Sequence, residues 1–437
     1  MQYFTLHKNG RGGNKARVTI TRFRFPAPEI HDRENFHSIL PENSPRPGPA
    51  VMQDSNRQRF DVIVAGVGSV GSATCHHLAG KGAKVLGIEQ FTIPHHYGSH
   101  HGNSRMIRMA YYEHPDYVPL LERAYKLWNE LQESTTERFF YITGGLYIGS
   151  PNGSIFPGSL KSAHEHHLDH SILNAQQISD HYPVLKIPGN YSGFYEDQAG
   201  FLIPEQAVSS YVRSALRHGA VISQGEKLIS WDTFPGHVEV RTNKGSYRAG
   251  HLVITAGAWS SKIAHGLECQ LNVTRQVMAW FEPLGAQERF APGNFPCWFI
   301  ETEPPFGHYG FPVIAGDPGL KVALHRPGEV ISPEGLQGEV CKPQPEEIEQ
   351  LRAILDTYFP GCAGGPTRAS TCMYTNSPDG HFIVGHHPVH NHVSIACGMS
   401  GHGFKFSSVL GEILADLALE GRTSMPIEFL SPQRYSG

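Results

Sequence analysis

Three segments of the 437-residue chain concentrate side chains able to hold charge or a cofactor. The first is Gly66-Val-Gly-Ser-Val-Gly71, a G-x-G-x-x-G run whose backbone can approach a phosphate. The second, Pro94 to Tyr111, holds His95, His96, His100 and His101 together with Arg105 and Arg108. Two arginines three apart suit a short helical turn aiming both at one anion, or a solvated face. Four histidines so close could ligate a metal, yet no spacing matches a zinc helix or finger, and no metal is expected. The third segment places Cys372 before a Pro378-Asp379-Gly380 turn and ends in Gly398-Met-Ser-Gly-His402-Gly403-Phe-Lys405. A lone cysteine reads first as a small buried hydrophobe. A glycine-rich entry to a helix, with Lys405 beside it, can hold a negative ligand or be only a loop.

The glycine run sits where a dinucleotide site needs it. Phe60-Asp-Val-Ile-Val-Ala reads as a buried strand, Ser72 to Lys81 as a helix, and Ala83 to Glu89 as a second strand ending in an acid. Gly66 permits the tight turn, Gly68 lets the backbone reach a pyrophosphate, and Gly71 allows close helix–strand contact. Ser69 and Val70 complete the loop. Glu89, 18 residues past Gly71, is placed to accept from a ribose hydroxyl and disfavours a 2′-phosphate. The motif does not choose between NAD and FAD. Val253 to Trp259, a strand ending in a small-residue turn, favours FAD.

Around these motifs the pattern gives a helix over Val118–Gln132, a strand over Phe140–Ile148, another over Leu252–Ala256 and a last helix over Phe404–Glu420. Short strands rich in Gly and Pro fill 285–340. Strands and helices alternating at both ends, with a β-rich insertion between, predict an α/β (α+β) protein. Residues 1–56 read differently. The stretch Met1–Pro28 is Arg-bearing and acid-free, and Leu40–Pro49 is proline-rich, as in a mitochondrial transit peptide or an upstream start with Met52 as the true first residue. A net charge of −4 without basic stripes argues against nucleic acid, and no apolar run reaches the roughly 18 residues of a membrane span. Seven cysteines with no C-x-x-C predict neither a disulfide framework nor a zinc ribbon.

The motifs together resemble the monomeric sarcosine oxidase and N-methyltryptophan oxidase family of covalent-FAD amine oxidases. The resemblance runs from Phe60 to the C-terminus through Gly98-Ser-His-His-Gly102 with Arg105 and Arg108, Tyr117-Val-Pro-Leu120, Tyr309-Gly-Phe-Pro312, Gly319-Leu-Lys321, Cys372-Met-Tyr-Thr375, Ser377-Pro-Asp379 and Ser400 to Ser407. It implies a Rossmann-like FAD-binding domain (57–138, 206–274 and 377–437) interleaved with a β-sheet-rich substrate domain (139–205 and 275–376). It also implies FAD joined by a thioether to Cys372, with Arg108 and Lys405 on the substrate carboxylate. By the same resemblance Arg105 lies near the flavin ring, Tyr309, His325 and Phe299 line the pocket, and Lys321 promotes reaction with oxygen. His402 and Gly403 lie beside the flavin pyrimidine. The implied reaction is oxidative demethylation of an N-methyl amino acid by O2 to amino acid, formaldehyde and hydrogen peroxide, in a cytoplasmic monomer (mitochondrial if the leader is real). Relatives that oxidise pipecolate, saccharopine-like or fructosyl amino acids supply the alternative substrates. Phe299, where one family member has methionine, and Met109, where histidine is common, leave the substrate side chain open.

Overall fold

The computed structural model describes residues 59–436 apart from 286, 315, 318 and 338–341, so the leader expected over 1–56 lies outside the described residues. The strand β1 (Arg59–Ala65) carries Val62, Ile63 and Val64 at 1% exposure or less, because it is covered on both faces as a parallel strand must be. It pairs parallel with β2 (Val85–Glu89) on one side and with Ser246–Ile254 on the other. That first sheet runs 228–234, 237–242, 246–254, β1, β2, 221–224, and Val393–Cys397 joins it by pairing parallel with 246–254. The helix α1 (Ser69–Gly80) follows the glycine loop directly. It begins ahead of the predicted Ser72 because Ser72 is the first residue whose N–H closes a helical bond, to Gly68 O at 2.9 Å.

The second sheet is built mainly from antiparallel pairs, in the order 363–376, 272–283, 320–325, 306–310, 297–303, 145–149, 192–196, 171–174. Its strands enter between stretches of the first sheet, so the two layers are interleaved along the chain as the sequence predicts. A small third sheet joins β3 (Arg105–Ile107) to Gly200–Leu202 and Phe140–Ile142.

Three sequence expectations are corrected here. The single strand expected over Phe140–Ile148 is two strands in different sheets, Phe140–Ile142 and Gly145–Gly149. Gly144 between them has φ +76°, a left-handed turn, and a Cβ there would lie 2.4 Å from the Tyr195 hydroxyl. Arg105–Ile107 is a strand with Arg108 just past its end, not a helical turn. The strand expected over Leu252–Ala256 is longer and earlier, Ser246–Ile254. The last helix is entered through a 3-10 turn at Phe404–Phe406 and runs Ser407–Glu420. No helix among the described residues is long and apolar enough to cross a membrane.

Candidate active site

A continuous cleft runs from the glycine loop to the third sheet and encloses about 2020 Å³ of space out to its open mouth. At one end Gly66, Gly68, Ser69, Val70 and Glu89 line it; at the other stand Arg105, Arg108, Phe299, Tyr309, His325 and Lys405. His402 and Gly403 lie on the wall between.

At the first end the backbone is forced by space. Gly66 has φ +95°, and a Cβ would meet Thr255 O at 2.6 Å; a Cβ on Gly71 would fall 1.8 Å from Gly66 O. Glu89 is 4% exposed, and its carboxylate accepts from Val67 N at 2.9 Å and Phe91 N at 3.0 Å. Burial raises its pKa, while those backbone donors draw it back. The carboxylate thus braces the glycine loop as well as lining the cleft. Along the same cleft, His100 Nε2 and Thr375 Oγ1 are buried without hydrogen-bond partners among the described residues. Buried polar atoms of this kind are normally satisfied, so they mark groups waiting for a ligand. A loop that admits phosphate, a carboxylate at the second strand's end and orphaned donors or acceptors between them fit a dinucleotide cofactor.

The second end holds cations. Arg108 is 4% exposed and forms a two-oxygen bond from Nη2 to Glu113 at 2.7 and 2.6 Å, with Nη1 donating to Ala110 O at 3.1 Å. Its guanidinium lies 4.3 Å from the ring centre of Tyr111 and 4.4 Å from that of Tyr112, within range of cation–π attraction. Burial works against the charge of Arg108, but Glu113 together with Tyr111, Tyr112 and Tyr147 outweighs it, and the pKa stands above its ordinary value. In turn, burial raises the Glu113 pKa, and Arg108, His402 and Lys405 more than reverse that, holding it at about 2. Lys405 is 6% exposed, donates to His402 O at 2.9 Å, and is pushed down to about 7 by burial and by Arg108. His402 Nδ1 meets the Tyr111 hydroxyl at 2.6 Å, and burial lowers the histidine to about 3. Below about pH 7, where Lys405 is protonated, Arg108 and Lys405 present two cations beside the Glu113 carboxylate.

The aromatic wall faces those cations. Phe299 and Tyr309 stack with ring centres 6.3 Å apart, and His325 meets Phe299 edge-on at 6.0 Å. His325 Nδ1 lies 3.2 Å from the Tyr374 hydroxyl, and burial depresses its pKa to about 4, so the ring is neutral near pH 7.

Arg105 and Lys321 are held differently. Arg105 donates to three backbone carbonyls, Ser104 at 2.8 Å, Ser99 at 2.8 Å and His101 at 2.7 Å. Lys321, 2% exposed, donates to Gly102 O at 2.7 Å, Ser104 O at 2.9 Å and Ser104 Oγ at 3.1 Å. Burial first, then the charge of Arg105, push its pKa well down, while Asp317 and Glu205 pull it back. Lys321 and Cys372 are outside the residues that line the cleft. Cys372 is 1% exposed within the long strand Ala363–Asn376. Burial raises its pKa, with Arg105 and Lys321 pulling the other way.

Three functional candidates escaped the sequence reading. Glu113 pairs with Arg108 from five residues away in irregular chain, where no periodicity announces it. Glu196 is 2% exposed and accepts from Met109 N at 3.2 Å, Ala110 N at 3.0 Å and the Tyr147 hydroxyl at 2.7 Å. It fixes the backbone immediately after Arg108 from 86 residues downstream of Ala110. Glu205 accepts from the turn that holds Lys321. An acid soon after a clustered Arg-Arg segment was the one signal available for Glu113.

This fold and this cleft define a flavin oxidoreductase: residues 61–417 match the FAD dependent oxidoreductase family, and the chain belongs to it. More narrowly, the chain is similar to the monomeric sarcosine oxidase of Streptomyces avermitilis, 41% identical over 379 residues, 86% of this chain and 98% of that protein. It is also similar to the N-methyl-L-tryptophan oxidase of Salmonella dublin, 36% identical over 370 residues, 84% of this chain and 96% of that protein. Among solved structures, NikD, an amino acid oxidase essential for nikkomycin biosynthesis, superposes with TM-score 0.73 at 24% identity, covering 86% of this chain and 98% of NikD. L-proline dehydrogenase of P. horikoshii gives TM-score 0.74 at 21% identity, covering 87% and 99%. These two likenesses carry the fold alone.

Proposed function

We propose that the protein is an FAD-dependent oxidase that demethylates an N-methyl amino acid, yielding amino acid, formaldehyde and hydrogen peroxide, and that it works as a monomer. The observation that carries this reading is the buried Arg108–Lys405 pair, two basic side chains in one cleft with the Phe299–Tyr309–His325 wall. It is supported by relatives whose names specify sarcosine and N-methyl-L-tryptophan oxidation. FAD, when bound, would supply the two-electron acceptor for the C–H bond beside the amine, with oxygen as the final acceptor.

The chain's own residues do the rest. Gly66, Gly68, Ser69, Val70, Gly71 and Glu89 would hold the nucleotide half, and Arg105, His402, Gly403 and Cys372 the ring half, Cys372 through a thioether. The substrate carboxylate displaces Glu113 from Arg108, exchanging one two-oxygen anion for another, and takes a second contact from Lys405. Fixed positive charge on that side disfavours an ammonium group, and neutral His325 adds none, so the amine is bound with its lone pair free. The rings of Phe299, Tyr309 and Tyr374 exclude water from its methyl group. Lys321 places a fixed positive charge where reduced oxygen develops negative charge. We also assign the first sheet and its helices (57–138, 206–274 and 377–437) to cofactor binding and the second sheet (139–205 and 275–376) to substrate binding.

The test is anaerobic mixing with sarcosine, N-methyl-tryptophan and pipecolate while the flavin absorbance is followed, with formaldehyde assayed after air is admitted. Bleaching with stoichiometric formaldehyde from an N-methyl substrate is expected; bleaching by pipecolate alone would replace the substrate class. Acid precipitation of the Cys372→Ala variant should release all of the yellow colour to the supernatant.

A further inference from the structure

Arg105 and Lys321 take their hydrogen bonds from one turn, Ser99–Ser104, and the amides of that turn converge on a single carboxylate. Gly102 N and Asn103 N donate to Glu205 Oε1 at 2.7 and 3.3 Å. Two consecutive peptide units therefore each join an anion to a cation. The His101–Gly102 peptide gives its carbonyl to Arg105 Nη2 at 2.7 Å and its N–H to Glu205. The Gly102–Asn103 peptide gives its carbonyl to Lys321 Nζ at 2.7 Å and its N–H to the same carboxylate oxygen. A peptide polarised from both ends makes each bond stronger, by about 10–30% per bond in condensed-phase treatments. The turn passes through the left-handed region at Gly102 (φ +109°), which glycine adopts freely, and at Asn103 (φ +66°), which asparagine tolerates. Glu205 lies in the first turn of the helix Pro204–Arg217, where the helix dipole favours an anion. Its other oxygen, Oε2, is buried without a hydrogen-bond partner among the described residues, so the carboxylate is committed to the turn. Asp317 Oδ1 secures the turn from outside by accepting from Asn103 Nδ2 at 2.9 Å.

We propose that Glu205 is the positioning residue of the Arg105–Lys321 pair, holding through these two peptides the turn that orients both cations and supplying negative charge that balances them. The inference rests on the oxidase reading insofar as it assigns Lys321 to the reaction with oxygen. The groups facing Lys321 are Arg105, His101, Asp317, Glu205, Cys297 and Cys372. Among them Glu205 and Asp317 are the carboxylates, so removing the charge of either makes the protonated lysine harder to keep.

The experiment uses the flavin-loaded enzyme and the variant Glu205→Gln, which retains an acceptor oxygen and drops the charge. Amide hydrogen exchange of the peptide covering 98–108 is expected to quicken about three- to tenfold at Gly102 and Asn103, since a neutral acceptor binds about half as strongly as an ionised one. The rate at which dithionite-reduced enzyme is reoxidised by oxygen should fall off at a pH about one unit lower than in the parent, because the charged lysine survives over a shorter range. Glu205→Ala should enlarge the exchange effect; if it does not fold, Glu205→Gln carries both measurements. Unchanged exchange at Gly102 and Asn103, or an unmoved pH inflection, overturns the role of Glu205. The Lys321→Met enzyme separates the two readings. Reoxidation as fast as in the parent would overturn the oxygen role of Lys321, while the exchange result would still decide that of Glu205.

Discussion

Two pairs of cations, Arg108 with Lys405 in the cleft and Arg105 with Lys321 at and behind its wall, differ in whether a carboxylate side chain meets a cation directly. Arg108 is paired with a side chain, Glu113, through ordinary charge-assisted bonds at 2.6–2.7 Å. Arg105 and Lys321 are held by backbone carbonyls of a single turn. A side-chain partner can be exchanged without moving the backbone, as the proposed reading requires when a substrate carboxylate takes the place of Glu113 on Arg108. A backbone partner cannot leave without refolding the turn, so in that reading Arg105 and Lys321 would keep their positions during reaction. The carboxylates are placed to match: Glu113 binds Arg108 itself and Glu196 the backbone just after it, whereas Glu205 and Asp317 reach Arg105 and Lys321 only through the turn.

The comparison can be broken most forcefully at Arg108. Arg108→Met should lower kcat/KM by about 10²–10³, or roughly 3–4 kcal/mol, within the range lost when a buried charge pair loses one member, while flavin content stays at the parental level. A loss confined to kcat with KM unchanged would contradict carboxylate binding. Next comes Lys321→Met, expected to slow reoxidation of the reduced flavin by oxygen about 10²-fold and its reduction by substrate far less. Equal slowing of both half-reactions in stopped flow would erase the division between the pairs. A smaller effect follows from Lys405, whose pKa of about 7 means that its charge is lost as pH rises through neutrality. Affinity for an unreactive carboxylate such as acetate should fall about three- to tenfold between pH 6 and pH 9, and Lys405→Met should flatten that slope. The stability effect has the opposite sign: the unfolded lysine binds a proton up to about 10.4 and the folded one only to about 7. Its contribution to stability therefore rises with pH between those values. The smallest change expected is in Glu113→Gln. Removing the competing charge should tighten acetate binding about threefold, measured by perturbation of the flavin spectrum.

Much of the nucleotide end was legible in the residues, because it is written in local geometry. A strand, three glycines, a helix and an acid each constrain neighbouring backbone, and local constraints survive in a linear sequence. The cation end was legible only in its residue types. Arg105 and Arg108 look helical by spacing, yet pairing of β3 with Gly200–Leu202 draws the segment straight, a contact between residues about a hundred apart. Glu196 and Glu205 reach the site across similar gaps and carry no motif of their own. The break at Thr143–Gly144 was readable in principle, since two adjacent glycines interrupt the strand pattern there. Lys321 and Cys372 were singled out by resemblance rather than by spacing. Their burial behind the cleft wall, at 2% and 1% exposure, is a matter of long-range packing that no short pattern encodes.

The glycine fingerprint turns out to contain two kinds of requirement. At Gly66 and Gly71 an added methyl would collide with backbone at 2.6 and 1.8 Å, so the polypeptide itself forbids any other residue. At Gly68 the nearest atom to an added methyl is 3.8 Å away, on His100, and the polypeptide alone tolerates it. Only an occupant of the cleft would object. Two positions of the motif thus record the history of a fold and one records the history of its cargo. A descendant that gave up its nucleotide would be free to lose the middle glycine first and would have to keep the outer two.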